Sequence, residues 1–431
     1  MLLDFFTSPV MRAPTWGTLF MCIAASLMGV IVLLKKRSLL TEALSHATYP
    51  GIVGGALLFT LLFPRGEAWL QIPFFLGAFA SSYLALKGIE WFEKRRKVAS
   101  DASLSFILSL FFGFGILLAS GMQSVQPKTY QSLQMLLFGQ SATMNDLHIA
   151  IYGALTLVVV LFITLSFRSL QATLFDRGFA ASIGIKVPFF ERILFWLLLF
   201  SLIVGMRCVG VVLMSGMAIA PAVAARQFSN RLKTIFYLAG LFGALSGLLG
   251  NILSIELSLA LSASGEKISL PTGPMIVLMG TLIALLSLLF APKKGLLFRL
   301  FRAMQFRLRC LEENLLKAMW KRGEATVERR NVATFYVLLK LRREGWVEKR
   351  GNLYVLTSDG KRKASRIVRL HRLWELYLSS ELKFEVGKVH QNAEEMEHIL
   401  TPELEERLTR LLSNPKADPH NQPIPERHAD E

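Results

Sequence analysis

The run Thr272-GPMIVLMGTLIALLSLLFA-Pro292-KKGLLFRLFRAMQFRLR-Cys310 decides how the chain is read. Up to Ala291 it is apolar enough and long enough to cross hydrocarbon, which takes about 20 residues for roughly 30 Å. From Lys293 onward a Lys or Arg recurs every few positions, and no apolar run of that length returns. The chain changes solvent at Pro292. Outward from that point, the spacing predicts an all-α polytopic membrane bundle before it and a basic, water-soluble region after it.

Composition agrees with the split. A hydrophobic fraction of 53%, 31 Phe and a mean hydropathy of +0.45 exceed what an ordinary globular core needs, and the excess lies in the first 290 or so positions. The three cysteines, Cys22, Cys208 and Cys310, are far apart, so no disulfide framework is implied. The opening MLLDFFTSPVMRAPTW lacks a basic leader and a small-residue cleavage site, so it is expected to be retained.

A ruler of one span predicts about nine transmembrane helices: 16–34, 49–64, 69–91, 103–122, 147–167, 190–206, 208–225, 234–255 and 273–291. The flanking charges alternate. Lys35 to Arg37, Lys94 to Lys97, Arg168 to Arg192, Arg226 to Lys233 and Lys293 to Lys294 follow the odd-numbered spans, whereas the other loops carry only Arg65, Lys128, Arg207 and Lys267. By the positive-inside rule the N-terminus lies outside and the chain beyond Pro292 is cytosolic, in a multi-pass membrane arrangement.

Two polar stretches interrupt the bundle. In SLLTEALSHA (38–47), Glu42 and His46 are four apart and share a helical face. A Glu–His pair packing two helices together accounts for them, and so does a site that passes a metal cation, because an ionisable residue inside a span is costly unless paired or functional. In LFDRGFAASIGIKV (174–187) a short amphipathic helix ends near Gly184; it reads as a connecting loop or as a helix docking into a partner. No GxxxxGK[ST] phosphate loop and no HExxH pair occurs, so neither nucleotide hydrolysis nor zincin chemistry is read on this chain.

After Pro292 the pattern runs through a basic linker (296–309) to helices over 311–322 and 331–343. A hairpin follows over 346–357, around Arg350-Gly351-Asn352. Helix, helix, hairpin is the order of a winged helix-turn-helix, assigned to 310–365. Arg329, Arg330, Lys340, Arg342, Arg343, Lys349 and Arg350 are its candidate phosphate contacts. The same basic faces suit plain solvation or an anionic lipid surface. In the helical region 366–431, His371, Glu375, His390, Glu394, Glu397 and His398 fall at helical spacings within 28 positions, and the region beyond Pro292 holds five of the seven histidines. Such phasing gathers imidazole and carboxylate donors, a set suited to Mn(II) or Fe(II).

The first 295 positions resemble the permease family of ABC importers for zinc, manganese and iron. The resemblance rests on SLLTEALSHATYPG, MLLFGQS (135–141), LFDRGFAASIGI, VGVVLMSGMAIAPAVAAR (209–226) and LPTGPMIVLMG (270–280). It implies that Glu42 and His46 guard the metal path, Glu42 standing where the family usually has Asp. It also implies that the loop with Phe175, Asp176, Ala180 and Gly184 meets a separate ATPase subunit. A metal-binding solute-binding protein and a second permease subunit, identical or different, are further implied partners.

From about Cys310 to Pro425 the chain resembles the diphtheria toxin repressor family of metal-dependent regulators, through VRLHRLWELYL (368–378), VHQNAEEMEHILTPELEERL (389–408) and NPKADPHNQPIP (414–425). By position, Glu394, Glu397, His398 and Cys310 match that family's regulatory metal site. His371, Glu375 and His390 match the second site of its iron-type members, and Glu313 matches a carboxylate of its manganese-type members. Fe2+ or Mn2+, then Zn2+, is the implied substrate and corepressor, and operator DNA the implied partner of the tail. Between Gly323 and Lys340 the chain is several residues shorter than that family, leaving little room for the first of the two helices. The order of permease then regulator resembles the fused proteins of chlamydia-like bacteria. A tail that gates the transporter in cis, without touching DNA, is the competing expectation.

Overall fold

The structure is a computed structural model that describes residues 3–62, 71–139, 141–263, 270–292, 294–322, 325–326, 332–351, 353–384 and 402–426. It divides into two compact units between Phe298 and Arg299. The first unit is helical: α1 (Asp4–Thr7), α2 (Arg12–Leu34), α3 (Ser38–Leu62), α4 (Gln71–Arg95), α5 (Ser100–Val125), α6 (Pro127–Phe138), α7 (Asp146–Leu165), α8 (Phe167–Phe175), α9 (Arg177–Ser182), α10 (Val187–Val209), α11 (Met214–Phe228), α12 (Leu232–Ala263) and α13 (Thr272–Phe290).

Seven of these helices are long and apolar enough to span a bilayer: α2, α4, α5, α7, α10, α12 and α13. Of the nine expected spans, seven meet that measure among the described residues, and the two that fall short have physical causes. The described part of the stretch 49–64 falls in α3, which ends at Leu62 and whose first half carries Thr41, Glu42, Ser45, His46 and Thr48, lowering its hydropathy. The stretch 208–225 falls mostly in α11, which has 15 residues. At about 1.5 Å per residue it reaches only some 22 Å. Gly210, at φ 100°, ends α10 and separates the two helices, because only glycine takes that conformation without strain.

α2 is the most enclosed span, packed against α7, α10, α11 and α12, while α3 packs on α4 and α5. Small residues bring the backbones together, as expected where lipid offers no hydrophobic gain for association. A Cβ on Gly51 of α3 would lie 2.0 Å from the carbonyl oxygen of Gly77 on α4, and a Cβ on Gly77 would lie 2.0 Å from that of Gly51. Many large apolar side chains on the outer faces, among them Leu117, Leu157, Leu161 and Leu282, are exposed, as a lipid-facing surface requires.

The second unit begins within α14 (Leu296–Arg322) and continues through β1 (Ala325–Thr326), α15 (Val332–Arg343), β2 (Val347–Arg350), β3 (Leu353–Leu356), α16 (Ser358–Ser380) and α17 (Pro402–Leu411). The stretch read as a basic linker is the first part of α14. The strands form an antiparallel sheet in the order β1-β3-β2. Arg350 pairs with Leu353, so the hairpin turns on two residues, and Gly351 supplies φ 65°. Leu316 and Met319 of α14, Val337, Leu338 and Leu341 of α15, Val347, Tyr354 and Leu356 of the hairpin, and Ala364 and Ile367 of α16 make its core. One helix, α15, is described between β1 and β2, where a helix-turn-helix has two; residues 327–331, with Arg329 and Arg330, lie outside the described residues.

The Gly51–Gly77 crossing generates a prediction. Gly77→Val should force α3 and α4 apart and cost about 2 kcal/mol or more, in the range of overpacked cores. It should lower the melting temperature of the detergent-purified chain by several degrees; an unchanged melt would refute the close crossing.

Candidate metal path and metal-sensing residues

The break after α10 sets the geometry of the membrane unit. Where a helix ends inside an apolar bundle, its freed backbone groups need partners. Val211 N donates to the Leu136 carbonyl at 3.0 Å and Val212 N to that of Leu137 at 3.4 Å, so the break pairs with the end of α6. Gly139, at φ 72°, fits because a Cβ there would lie 2.5 Å from the Val209 carbonyl carbon. Gly273 fills the third side: a Cβ on it would be 2.1 Å from the Phe138 oxygen and 2.3 Å from that of Val209. Ser141 N donates to Thr272 Oγ1 at 3.1 Å. The segments MLLFGQS, VGVVLM and LPTGPM, separate in sequence, thus meet at one place.

The polar part of α3 runs against this junction. The Ser45 hydroxyl donates to the Val211 carbonyl, Thr48 Oγ1 donates to the Ser45 carbonyl at 2.6 Å and lies 3.2 Å from Met206 Sδ, and Ser81 Oγ of α4 donates to the Ala47 carbonyl at 2.5 Å. His46, 8% exposed, meets the edge of Phe112 at 4.5 Å between ring centres. Its Nδ1 is buried without a hydrogen-bond partner among the described residues. Glu42, half-buried, lies one turn earlier on the same face. An imidazole nitrogen held dry and unpaired, with a carboxylate one turn away, is a pair of donors that a divalent cation would satisfy.

On the first unit's other candidate feature, Asp176 caps α9 by accepting from Gly178 N at 2.7 Å and Phe179 N at 3.2 Å. Ala180 is buried beneath, and Gly184 closes the turn at φ 86°. Phe175 is 91% exposed, with Phe179 and Ile183 exposed beside it. The capped turn presents a rigid apolar knob.

In the second unit four of the eight expected metal residues are described. Cys310 and Glu313 lie about one turn apart on α14, both partly buried. His371 and Glu375 are buried on α16, with Nε2 of the ring 3.1 Å from Oε1 of the carboxylate. Lys317 Nζ of α14 lies 3.1 Å from His371 Nδ1. With Lys317 donating there, the ring proton sits on Nε2 and is given to Glu375. His371 and Glu375 are suitable donors for a divalent cation, but no group of three His, Cys, Asp or Glu gathers among the described residues. His390, Glu394, Glu397 and His398 lie outside them.

The basic residues divide. Arg342 and Lys349 are exposed, and Arg350 is exposed beside Glu348. Lys340 is committed to Glu312, which is buried and needs a counter-charge, and to Glu344 at 3.8 Å. The hydrogen bond to Glu312, then the two carboxylate charges, hold the Lys340 ammonium above the usual lysine range.

Sequence reading missed the clamp on the end of the chain. Arg369 of α16 donates to Glu405 at 3.3 Å, Thr409 Oγ1 at 3.2 Å and the Pro425 carbonyl at 2.8 Å; Arg372 holds Asp418 at 3.4 Å and the Pro423 carbonyl. Nothing in the spacing of two arginines on a basic helix distinguishes inward from outward ones.

A bundle of apolar helices with an imidazole buried beside a helix-to-helix turn is that of a polytopic membrane protein of the transporter class. The chain belongs to the ABC 3 transport family, which matches residues 7–291, and residues 357–426 match the iron dependent repressor, metal binding and dimerisation domain. It is 33% identical to a probable metal transport system membrane protein of Chlamydia trachomatis serovar D, over 99% of this chain and 98% of that one. It is 31% identical to the manganese transport system membrane protein MntC of Bacillus subtilis, over 92% of this chain and 90% of that one. Among solved structures, PsaBC from Streptococcus pneumoniae in complex with Fab is similar at a TM-score of 0.56 and 26% identity, covering 68% of this chain and 96% of that one.

The clamp is testable. Glu405→Ala leaves Arg369 buried without its carboxylate and should cost about 3 to 5 kcal/mol, as for other broken buried pairs. Thermal proteolysis of the full chain should then cut the tail at a temperature several degrees lower, and unaltered resistance would contradict the pairing.

Proposed function

We propose that the chain is the permease subunit of an ABC importer for a divalent metal cation, iron or manganese ahead of zinc, and that its tail senses the imported metal. The observation that carries the reading is the buried His46 Nδ1, without a hydrogen-bond partner among the described residues, beside the turn from α10 to α11 and one turn from Glu42. Glu42 and His46 would pass the cation. Phe175, Asp176, Ala180 and Gly184 would form the docking turn for a separate ATPase subunit, with the N-terminus outside and the tail cytosolic. A solute-binding protein would deliver the metal to a pair of permease subunits, identical or different.

In the tail, His371 and Glu375 would share a bound ion with His390, Glu394, Glu397, His398, Cys310 and Glu313, in one or two sites. The ion supplies the positive charge that draws these donors together. Arg329, Arg330, Arg342, Lys349 and Arg350 then remain as contacts for operator DNA. The second reading, a metal-sensing gate acting in cis, is favoured by one observation: Lys340, a candidate phosphate contact, is spent on Glu312.

Reconstituted with its ATPase subunit, the chain should take up labelled iron or manganese in the presence of ATP. Glu42→Ala and His46→Ala should each reduce uptake by about tenfold or more, the worth of roughly 1.4 kcal/mol. Uptake unaffected by both would reject the metal path. Phe175→Asp should abolish co-purification of the ATPase. A metal-dependent shift of the chain's own promoter fragment decides for the regulator; transport that escapes inhibition by excess metal once residues 299–431 are deleted decides for the gate.

A further inference from the structure

Glu191, on α10, receives two cations from separate parts of the membrane unit. Lys35 Nζ lies 3.1 Å from its Oε1 and an Arg177 terminal nitrogen lies 2.5 Å from its Oε2. Arg177 is the first residue of α9, in the exposed turn assigned above to ATPase docking. Lys35 belongs to the three-residue turn from α2 to α3, and the next residue, Lys36, sits in the left-handed region at φ 56°. That conformation is strained for a residue with a side chain, so surrounding contacts must hold it.

They hold it from both sides. Opposite Lys35, Arg37 donates to Glu93 of α4 at 2.9 Å, and Glu93 also accepts from Ser100 Oγ, at the start of α5, at 2.7 Å. The turn is therefore fixed to α10 and α9 by one carboxylate and to α4 and α5 by another. It leads directly into Ser38, the first residue of α3, with Glu42 and His46 one and two turns further. A chain of contacts thus runs from α9 through Arg177, Glu191 and Lys35 to the helix that carries the proposed metal pair.

We propose that Glu191 is a positioning residue that transmits engagement of the ATPase at α9 to the α2–α3 turn, and so sets whether α3 presents Glu42 and His46 to the cation. This rests on the docking and transport reading above. The chemistry suits the task. The Glu191 side chain is 25% exposed, Lys35 is 26% exposed and Arg177 is 70% exposed. Partly hydrated ion pairs are individually weak and exchange readily. A carboxylate shared by two cations can shift from one toward the other without being stranded, which is a two-state element both ends can bias.

The test uses the chain assembled with its ATPase subunit in proteoliposomes, with ATP hydrolysis and uptake of labelled manganese or iron measured on the same preparation. Glu191→Gln should leave ATPase co-purification intact and hydrolysis within about twofold of the parent, while metal moved per ATP falls by about fivefold or more, within the range of single-residue coupling effects. Lys35→Gln should do the same, and the double variant should be no worse than either single one, as for residues acting through one contact. Equal transport per ATP in Glu191→Gln would overturn the proposal, as would loss of ATPase co-purification, which would make Glu191 part of the docking support only. Should Glu191→Gln fail to fold, yielding no monodisperse permease in detergent, Lys35→Gln is read by the same criteria. If the parent complex shows no ATP-dependent uptake, the transport reading falls and the relay with it; if the parent transports and the variants match it, only the relay falls.

Discussion

Inside an apolar bundle, a backbone group without a partner is more expensive than almost any side-chain change, and the break between α10 and α11 puts several such groups in one place. Its solution organises the membrane unit. Val211 and Val212 turn their N–H groups to the end of α6, Gly139 and Gly273 come close enough to permit it, and the Val211 carbonyl is taken by Ser45 of α3. Satisfying that carbonyl requires the polar half of α3 to lie here, which is why His46 is buried beside the break. The chemistry of the site follows from the need to close a hydrogen-bond account.

A different constraint governs the second unit. Its buried polar and charged side chains meet partners in matched sets: Glu312 with Lys340, His371 between Lys317 and Glu375, Arg369 with Glu405, and Arg372 with Asp418. A buried charge that loses its partner costs several kcal/mol, so these sets fix how α14, α16 and the terminal segment meet. A cation entering among His371, Glu375 and their neighbours would change that balance, which is how the proposed metal sensing would act.

Much of this was legible in the residues. The run through Pro292 announced the change of solvent, and the Arg350-Gly351-Asn352 turn announced the hairpin that Gly351 makes. Glu42 and His46 stood out because an ionisable pair at a four-residue spacing in a span is costly unless paired or functional, and the residues alone leave both readings open. The number of spans was less legible. Hydropathy reads 208–225 as membrane whether or not a glycine at φ 100° has cut the helix, and it cannot weigh the hydroxyls and carboxylate at the start of α3 against burial inside the bundle. The convergence of three distant glycine turns, and the inward aim of Lys317, Arg369 and Arg372, depend on contacts far along the chain, for which local periodicity carries no signal.

The account turns on His46 as a group that meets the transported cation rather than one that only packs against Phe112. The most direct measurement is pulsed electron paramagnetic resonance of Mn(II) bound to the purified full chain labelled with nitrogen-15 histidine, in a background carrying His371→Gln, His390→Gln and His398→Gln to silence the tail. The account predicts a histidine nitrogen coupling that Glu42→Gln weakens and His46→Gln removes, while His148→Gln, which alters only the cap of α7, leaves it in place. A spectrum that His46→Gln leaves unchanged would contradict it.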